Sequence, residues 1–276
     1  MPEKPEVMTV AKTLEKELIG KTIIKAKVYW DNMIEYPSKD KFLKEIKNQK
    51  ILDINTRGKW IVLTLNDYYL LFHLRMEGKF FFRTDKDPKN KHEHVFFYLS
   101  DGRQLRFADV RKFGKVHLIE KDKINEVGPL KDLGVEYYDE SFTKEYLYSK
   151  LQRKSLPIKT VLLDQSIIAG IGNIYDNEIL FLSGINPYTK AKDLSINDVS
   201  NIVSNTKIVL DKAVKLGGST IRSYTSSEGV HGLFQEELMV HMQKTCKKCG
   251  KDITKEYIGG RGTYYCKKCQ KMKKVK

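Results

Sequence analysis

Hydrophobic positions change their period along the chain, and each period predicts a different kind of element. Apolar residues recur at helical spacing over residues 7–18, Pro5 suits the first turn of such a helix, and Gly20 can end it. Over residues 22–120 the pattern changes to short runs typical of strands, separated by turn-forming dipeptides. The runs are TIIKAKVYW, KWIVLTL, YYLLFHL, KFFFRT, HVFFYLS, QLRFADV and KVHLIE. This succession predicts an N-terminal helix followed by an antiparallel β-sandwich or barrel.

Helical periodicity returns in the second half of the chain. The longest segment has Ser195 as N-cap, Asp198 at the capping-box position and Gly217 beyond its end. The predicted helices are Phe142 to Arg153, Pro157 to Ile168, Ile174 to Leu182 and Ser195 to Leu216. We therefore predict a β-rich domain over residues 1–124, a hinge over 125–141, a helical domain over 142–240 and a cysteine-bearing hairpin over 241–276.

A strong excess of positive charge indicates a polyanionic partner. Lys and Arg outnumber Asp and Glu by 50 to 35, which gives the 276-residue chain a net charge of +15. A net +10 of this lies between Lys244 and Lys276, where there are 12 basic and 2 acidic residues. We favour nucleic acid over an anionic membrane surface as the partner, because proteins that bind nucleic acid concentrate lysine and arginine in this way.

The sequence also predicts where the protein works. No apolar run approaches the ~20 residues that a membrane-spanning helix needs. The opening MPEKPEV has acidic residues and prolines where a signal peptide has a basic stretch and an apolar core. We therefore expect an intracellular, cytoplasmic protein that is not associated with a membrane.

All four cysteines fall in the C-terminal hairpin. Cys246, Cys249, Cys266 and Cys269 have the spacing C-x2-C-x16-C-x2-C. In this pattern two tight turns bring four thiolates to one tetrahedral zinc ion. Four protein ligands leave no open coordination position, so we predict one structural Zn2+ and no catalytic metal.

The segment GGRGTYY between the two cysteine pairs is predicted to form the tip of this hairpin. Glycines there let the backbone approach a ligand closely, and Arg261 can donate two parallel hydrogen bonds to a phosphate. The tip is therefore a candidate phosphate contact.

The N-terminus is a candidate nucleophile. Because Pro2 is small, we expect removal of the initiator methionine, which leaves a secondary amine at the chain end. A terminal amine has a pKa of about 8, so a useful fraction is uncharged at neutral pH and can attack the anomeric carbon of a sugar. Glu3 and Glu6 supply carboxyl groups within one turn, suited to protonating the sugar oxygen and to holding the site together.

Eight motifs occur in one order along the chain: MPEKPEV, RGKW, HLRMEGKF, KHEHV, ADVRKFG, AGIGNIYDNE, GGSTIR and GGRGTYYC. Together they resemble the formamidopyrimidine-DNA glycosylases, from Pro2 to Cys269. The resemblance implies an α+β fold, in which an N-terminal helix and β-sandwich precede a helix-two-turns-helix domain and a zinc-finger hairpin. It also implies a bifunctional glycosylase and abasic-site lyase of base excision repair. Such an enzyme removes 8-oxoguanine and formamidopyrimidines from double-stranded DNA and then cleaves the strand by β- and δ-elimination.

The same resemblance implies a role for each matched residue. The catalytic set is Pro2 as Schiff-base nucleophile, Glu3 as general acid, Glu6 as its support, Lys59 in the elimination and Arg261 on the phosphates. The DNA contacts are His73, Met76, His92, Arg111, Phe113, Lys154 and Asn173. Met76 and Phe113 are wedges in this scheme, and Arg111 reads the orphaned cytosine. Compared with the family pattern, Lys4 replaces an apolar residue, Met8 an acidic one and Val110 a proline.

Two alternatives stay open from the sequence. An endonuclease VIII-like glycosylase resembles this pattern but prefers oxidised pyrimidines. Phe113 and the long stretch Ser219 to Phe234, where we place lesion recognition, favour the purine-directed type. A zinc-containing protein that binds damaged DNA without chemistry would explain the charge and the cysteines but would give Pro2 no task. We expect a monomer, since two domains of one chain suffice to hold the DNA.

Overall fold

The computed structural model describes residues 2–219 and 232–273. The chain divides into an N-terminal unit, Met1–Lys131 with Gly217–Gly232, and a C-terminal unit, Asp132–Leu216 with Leu233–Lys276. The finer boundaries at residues 124, 141 and 240 stay a prediction. The lesion-recognition stretch falls almost entirely on residues 220–231, outside the described residues, and also stays a prediction. Within residues 2–219 and 232–273, none of the helices combines the length and apolar character needed to cross a bilayer.

The N-terminal unit consists of one long helix, one short helix and ten strands in its described residues. The helices are α1 (Lys4–Leu18) and α2 (Lys39–Glu45). The strands are β1 (Thr22–Val28), β2 (Ile34–Tyr36), β3 (Gln49–Lys50), β4 (Asp53–Arg57), β5 (Trp60–Thr64), β6 (Tyr68–His73), β7 (Lys79–Arg83), β8 (Glu93–Leu99), β9 (Gln104–Ala108) and β10 (Lys115–Glu120).

These strands form two five-stranded sheets, in the orders β3-β1-β8-β9-β7 and β2-β10-β6-β5-β4. Neighbours are antiparallel in the described pairs except β2 and β10, which run parallel. Inward-facing residues of both sheets and the apolar face of α1 share one core, in which Phe72, Phe97 and Phe107 are fully buried. The unit is therefore a β-sandwich behind an N-terminal helix, which confirms the predicted fold class.

All seven predicted strand runs are present, as β1 and β5 to β10. The predictions missed α2 and the strands β2, β3 and β4. The sequence of β4, DINTR, is polar and gives no alternating signal. This strand forms because it pairs along its length with the strongly apolar β5, so a tertiary partner overrides its weak local preference.

The C-terminal unit is mainly helical and ends in a hairpin. Its helices are α3 (Lys144–Leu151), α4 (Ile158–Leu162), α5 (Asn173–Leu182) and α6 (Ile196–Lys215). Its strands are β11 (Val135–Glu136), β12 (Ile168–Ala169), β13 (Thr254–Ile258) and β14 (Arg261–Tyr265). Helices α3 to α6 pack around a common apolar core.

The helix predicted over Pro157 to Ile168 is wrong in its second half, because α4 ends at Leu162. The side-chain amide of Gln165 donates to the carbonyls of Leu163 and Ile171, at 3.0 and 2.9 Å. Its carbonyl oxygen accepts the N–H of Gly170 at 2.9 Å. These bonds compete with helical ones and fold the segment into the turns that join α4 to α5.

Candidate active site and nucleic-acid interface

The N-terminal residues are buried at the start of α1. Pro2 and Glu3 are buried, and Glu3 and Glu6 form a capping box in which each side chain accepts the other residue's backbone N–H. Glu6 Oε2 accepts the N–H of Glu3 at 2.8 Å. A capping box of this kind satisfies two backbone N–H groups at a helix start and so orders its first turn. The residue predicted as nucleophile and the residue predicted as acid are therefore held in one turn.

The second oxygen of Glu6 fixes a distant segment of the same unit. Oε1 accepts the backbone N–H of Ser219 at 2.7 Å and its hydroxyl at 3.2 Å. Gly218, with φ of +83°, passes so close that a Cβ there would lie 2.6 Å from Oε1. Glu6 is thus a structural acceptor on both sides, which agrees with the supporting role predicted for it.

Lys4 is fully buried. Its ammonium donates to Oγ1 and to the backbone oxygen of Thr56, at 3.0 and 3.3 Å. Thr56 belongs to β4, the strand that leads into the turn bearing Lys59. Lys4, which departs from the family pattern, therefore links the first turn of α1 to that strand.

Lys59 lies in the two-residue turn between β4 and β5, next to Gly58, whose φ of +55° the turn requires. Only 8% of its surface is exposed, so it is not the ordinary edge-strand lysine that its position in a strand-like run would suggest. The adjacent residue Trp60 pairs in register with His73 of β6, and their rings meet edge-on at 4.8 Å. Lys59 and His73 are therefore neighbours.

His73 is neutral and has a defined tautomer. Burial, with the charges of Arg75 and Lys59, lowers the pKa of His73 to about 3. The backbone N–H of Arg75 donates to Nδ1 at 3.0 Å, so the single ring proton is on Nε2. A neutral ring in this form can donate a hydrogen bond to a phosphate oxygen, the contact predicted for His73.

Met76, Arg111 and Phe113 lie together, and we call them the wedge cluster. Arg111 donates through Nη1 to the thioether sulfur of Met76 at 2.8 Å. Its guanidinium also lies over the ring of Phe113, 4.8 Å from the centroid. Met76 and Phe113 are 41% and 50% exposed. The structure thus brings together the three residues predicted to fill and read the gap in an opened duplex.

Arg111 and Phe113 are two residues apart, which predicts that they project to the same side of one strand-like segment. This prediction is wrong, because β9 ends at Ala108 and both residues lie in the loop between β9 and β10. The buried carboxylate of Asp109 causes this. It accepts the backbone N–H groups of Arg111, Phe113 and Gly114, at 2.9, 2.9 and 2.6 Å. Asp109 therefore shapes the loop that carries two of the three wedge residues.

His92 lies in the segment between β7 and β8, which one buried guanidinium anchors. The five N–H groups of Arg106 donate to the carbonyl oxygens of residues 84, 87 and 88 and to the side chains of Gln104 and Glu93. The ion pair with Glu93 is 3.0 Å long and almost fully buried. The carbonyl of His92 also accepts the N–H of Asp109 at 2.9 Å, which ties this segment to the wedge loop.

In the C-terminal unit, Asn173 is the first residue of α5. Its side-chain amide donates to the carbonyl of Gly262 in β14 at 2.9 Å, so one of its two amide hydrogens is used within the protein. The side chain of Lys154 is 44% exposed, and its ammonium lies 4.0 Å from the carboxylate of Asp164. Both residues belong to the helix-two-turns-helix region.

Arg261 is exposed at the tip of the hairpin β13–β14, as the sequence predicts. It follows Gly259 and Gly260, which form the two-residue turn with φ of +55° and +74°. Two residues with positive φ suit a tight hairpin turn, and glycine adopts that conformation without steric cost. The turn places the guanidinium at the end of a rigid ribbon.

The four cysteine sulfurs lie within 4.8 Å of one another. Cys246 and Cys269 are 3.9 Å apart, and Cys249 and Cys266 are 3.5 Å apart. A tetrahedral zinc ion with bonds of about 2.3 Å would set its sulfur ligands about 3.8 Å apart, so the cluster fits this metal. The prediction of one structural zinc ion is confirmed.

The segment before the first cysteine is held by Glu178 of α5. Its carboxylate accepts the backbone N–H groups of Met239, Val240 and His241, at 2.7, 3.1 and 2.8 Å. Burial raises the pKa of Glu178, and these hydrogen bonds oppose that rise. The sequence analysis missed Glu178, Asp109 and Arg106. Only Asp109 could have been found from its local sequence, because an aspartate at the start of a turn often accepts a hydrogen bond from the backbone N–H two residues later.

The sequence matches three family models in succession. They are the formamidopyrimidine-DNA glycosylase N-terminal domain over residues 1–116, the H2TH domain of the same enzymes over 133–225, and the zinc finger found in FPG and IleRS over 243–271. Relatives named formamidopyrimidine-DNA glycosylase are similar along their whole length. The protein from Oceanobacillus iheyensis is 44% identical, with 98% of each chain covered, and that from Bacillus subtilis is 42% identical, with 99% of this chain and 100% of the relative covered.

Solved structures give the same result. A Lactococcus lactis FPG mutant in complex with Fapy-dG containing DNA has a TM-score of 0.92 and 36% identity, covering 98% of this chain and 100% of that one. The Lactococcus lactis Fpg in complex with abasic-site DNA has a TM-score of 0.91 and 36% identity, covering 98% and 99%. The resemblance found in the sequence is thus confirmed, and the chain belongs to the formamidopyrimidine-DNA glycosylase family.

Proposed function

We propose that this protein is a base-excision-repair enzyme that removes oxidised purines from double-stranded DNA and then cleaves the abasic strand. The observation that carries the proposal is the buried start of α1, where the Glu3–Glu6 capping box fixes Pro2 and an acid in one turn. Family membership over the whole chain supports the same activity. Because its substrate is DNA, we propose that the enzyme acts at the nucleoid.

The first step is attack by the amine of Pro2 on C1′ of the damaged nucleotide, after removal of Met1. The C1′–N bond to the base breaks as the N–C1′ bond forms, and the departing base takes up the proton that the amine of Pro2 loses. Glu3 protonates the sugar ring oxygen, the C1′–O4′ bond breaks and the ring opens. Glu6 keeps Glu3 and the neighbouring Ser219 in place, because both of its oxygens already accept hydrogen bonds. The product is an iminium ion that joins Pro2 to the sugar.

The iminium ion withdraws electrons and acidifies the proton on C2′. Loss of this proton expels the 3′ phosphate, and a second elimination expels the 5′ phosphate. Negative charge develops on each leaving phosphate, where the cations Lys59 and Arg261 and the donor Nε2–H of His73 stabilise it. Water then hydrolyses the imine and releases Pro2.

The wedge cluster keeps the duplex open during these steps. Once the damaged nucleotide leaves the stack, Met76 fills the gap, Phe113 stacks beside it and Arg111 donates to the acceptors of the orphaned base. His92, Lys154 and Asn173 contact phosphates and fix the register of the duplex. The exposed positions of Met76 and Phe113 support these roles.

Borohydride trapping on abasic DNA tests the nucleophile. We expect a covalent adduct with the processed enzyme and none with a protein that retains an acylated Met1, since only a free secondary amine forms the iminium ion. Glu3→Gln serves as the matched control, because it keeps the amine and the capping geometry while it removes the acid. An active preparation whose N-terminus is blocked would contradict the proposal.

The lesion class is tested on matched duplexes. We expect excision of 8-oxoguanine and formamidopyrimidine opposite cytosine to exceed excision of thymine glycol. A preference for thymine glycol would instead support the endonuclease VIII-like alternative. A protein that binds these duplexes and forms no adduct would support the non-catalytic alternative, and the family relationships favour neither of them.

A further inference from the structure

The thioether of Met76 is exposed and chemically coupled to a functional arginine. Its sulfur accepts a hydrogen bond from Arg111 at 2.8 Å, and 41% of the side chain is exposed. The same guanidinium lies over Phe113. Any change in the chemistry of this sulfur therefore acts on the whole wedge cluster.

The chain offers its own comparison for this site. Met242 and Met272 are 67% and 52% exposed, at least as accessible as Met76, and they belong to the C-terminal unit. The sulfur of Met272 lies 3.9 Å from the hydroxyl of Thr189. Met33 is fully buried in the sandwich core. These residues separate the effect of oxidation as such from its effect in the wedge cluster.

We infer that Met76 is a site of sulfoxidation by hydrogen peroxide, and that its sulfoxide switches the wedge cluster to a form that binds damaged DNA weakly. This inference rests on the proposed function, because it assigns the loss to the step in which the cluster enters the opened duplex. The inference adds reversible oxidation of Met76 to the DNA-binding roles proposed for the wedge cluster.

The reaction is balanced. A lone pair of the Met76 sulfur attacks one oxygen of hydrogen peroxide, and the O–O bond breaks. The departing hydroxide takes the proton of the transferred oxygen to form water, which leaves the neutral sulfoxide. Sulfur loses two electrons and peroxide gains them. A thioether sulfur has two lone pairs, and the guanidinium of Arg111 occupies one of them. The same cation stabilises the negative charge on the departing oxygen.

The product changes two properties of the cluster. A thioether is a weak hydrogen-bond acceptor, whereas the sulfoxide oxygen is a strong one, so Arg111 is held on residue 76 and withdrawn from the orphaned base. The side chain also becomes polar, and entry between stacked bases then requires its desolvation. Both effects oppose binding to an opened duplex and leave contacts with an undamaged duplex unchanged.

The experiment uses the full-length zinc-loaded enzyme and a duplex that contains a tetrahydrofuran abasic analogue. Graded peroxide is applied, peptide mapping by mass spectrometry gives the oxidised fraction at each methionine, and anisotropy gives the affinity. We expect about a tenfold loss of affinity as Met76 becomes oxidised, which corresponds to about 1.4 kcal/mol. Methionine sulfoxide reductase should restore it.

The matched variants decide the interpretation. Each is compared with itself before and after peroxide, which corrects for any change in its basal affinity. Met76→Leu should keep its own affinity through the treatment, although its cysteines meet the same oxidant. A double variant, Met242→Leu with Met272→Leu, should bind like the wild type and lose affinity like it.

Two results would overturn the inference. One is unchanged affinity when Met76 is fully oxidised. The other is an equal loss in Met76→Leu, which would place the sensitivity at another group such as the zinc thiolates. Failure of the proposed function gives a different result. The untreated enzyme would then bind the tetrahydrofuran duplex no better than an undamaged duplex and would form no borohydride adduct.

Discussion

The β-sandwich and the zinc hairpin both present catalytic candidates at tight turns, but different forces hold the two regions. The sandwich has a continuous apolar core formed by α1, α2 and both sheets. The hairpin region has a cluster of four buried residues, Phe181, Val240, Cys246 and Cys266. Two of those four are predicted metal ligands. The sandwich is therefore stabilised by burial of apolar surface, and the hairpin by its metal.

The difference teaches that Lys59 and Arg261 depend on their surroundings in separate ways. Lys59 is positioned by β4 and β5, which pair along their length and contribute to the apolar core. Arg261 is positioned by a ribbon that depends on four thiolates. Trp30 and Trp60, the two tryptophans of the chain, both belong to the N-terminal unit, so their fluorescence reports on the sandwich alone.

Zinc removal should have the largest effect. A structural zinc supplies on the order of 10 kcal/mol to the fold that it organises. We expect a chelator, or Cys266→Ser, to abolish hydrogen-exchange protection in β13 and β14 and to weaken DNA binding, while tryptophan fluorescence is retained. Full protection of the hairpin in zinc-free protein would show that its apolar contacts suffice.

A cavity in the sandwich core should have the second-largest effect. Phe72 is fully buried, with edge-on ring contacts to Phe80, Phe97 and Phe107 at 5.0, 5.6 and 5.5 Å. We expect Phe72→Ala to lower the free energy of unfolding by about 3–5 kcal/mol in urea titrations followed by tryptophan fluorescence. Phe113→Ala is the control, because this ring is half exposed and its loss should affect DNA binding rather than stability. Equal destabilisation by both would contradict the comparison.

Two glycines with positive φ give a smaller contrast. Alanine in this conformation costs about 1–2 kcal/mol at either site. At Gly260 a Cβ meets nothing within 4 Å, whereas at Gly218 it would lie 2.6 Å from the carboxylate of Glu6. We expect Gly218→Ala to cost more stability than Gly260→Ala and also to slow borohydride trapping. A normal trapping rate in Gly218→Ala would show that Glu6 does not position the nucleophile.

Lowering the pH should have the smallest effect of these changes on the free energy of unfolding, counted per residue. Burial lowers the pKa of His73 to about 3 and that of His117 to about 4, against about 6.5 in the unfolded chain. The unfolded state therefore binds more protons below this value, and stability falls as the pH falls towards the folded pKa. This slope applies only below about pH 6.5, so each histidine should contribute a total loss of about 1.4 kcal/mol between about pH 7.5 and about pH 5.5.

Urea titrations at about pH 7.5 and about pH 5.5 measure this loss. His117→Phe removes one of the two titrating groups, so it should reduce the pH dependence of stability by the contribution of one histidine. The phenylalanine ring should keep the packing on Trp60, whose ring centroid lies 5.1 Å from that of His117. An unchanged pH dependence in this variant would assign the acid sensitivity to other groups.

The sequence predicts those features whose cause lies within a few residues. Seven of the ten strands of the sandwich follow from their apolar runs, α1 from its helical period, and the zinc site from cysteine spacing. The same holds for Pro2, Glu3 and Glu6, which share one helical turn. In α6 the predicted pair Ser195 and Asp198 forms the capping box, with Ser195 Oγ accepting the N–H of Asp198 at 3.2 Å.

The features that the sequence does not predict depend on partners far along the chain. Arg106 and Glu93 form a buried pair across two strands, and Glu178 binds backbone more than sixty residues away. The turn at Arg111 illustrates the competition, since Asp109 captures three N–H groups that a continued strand would have used. Local alternation gives no information about such a capture.

The anchoring of the β7–β8 segment also bears on how this chain can diverge and be engineered. Arg106 holds that segment largely by carbonyl oxygens, which every amino acid carries, so the identities of the exposed residues Lys86 and Lys91 contribute little to its shape. Mutational drift at these exposed positions should be tolerated. A cysteine introduced at one of them would carry a dye beside His92, and its emission would follow the arrival of a duplex in real time.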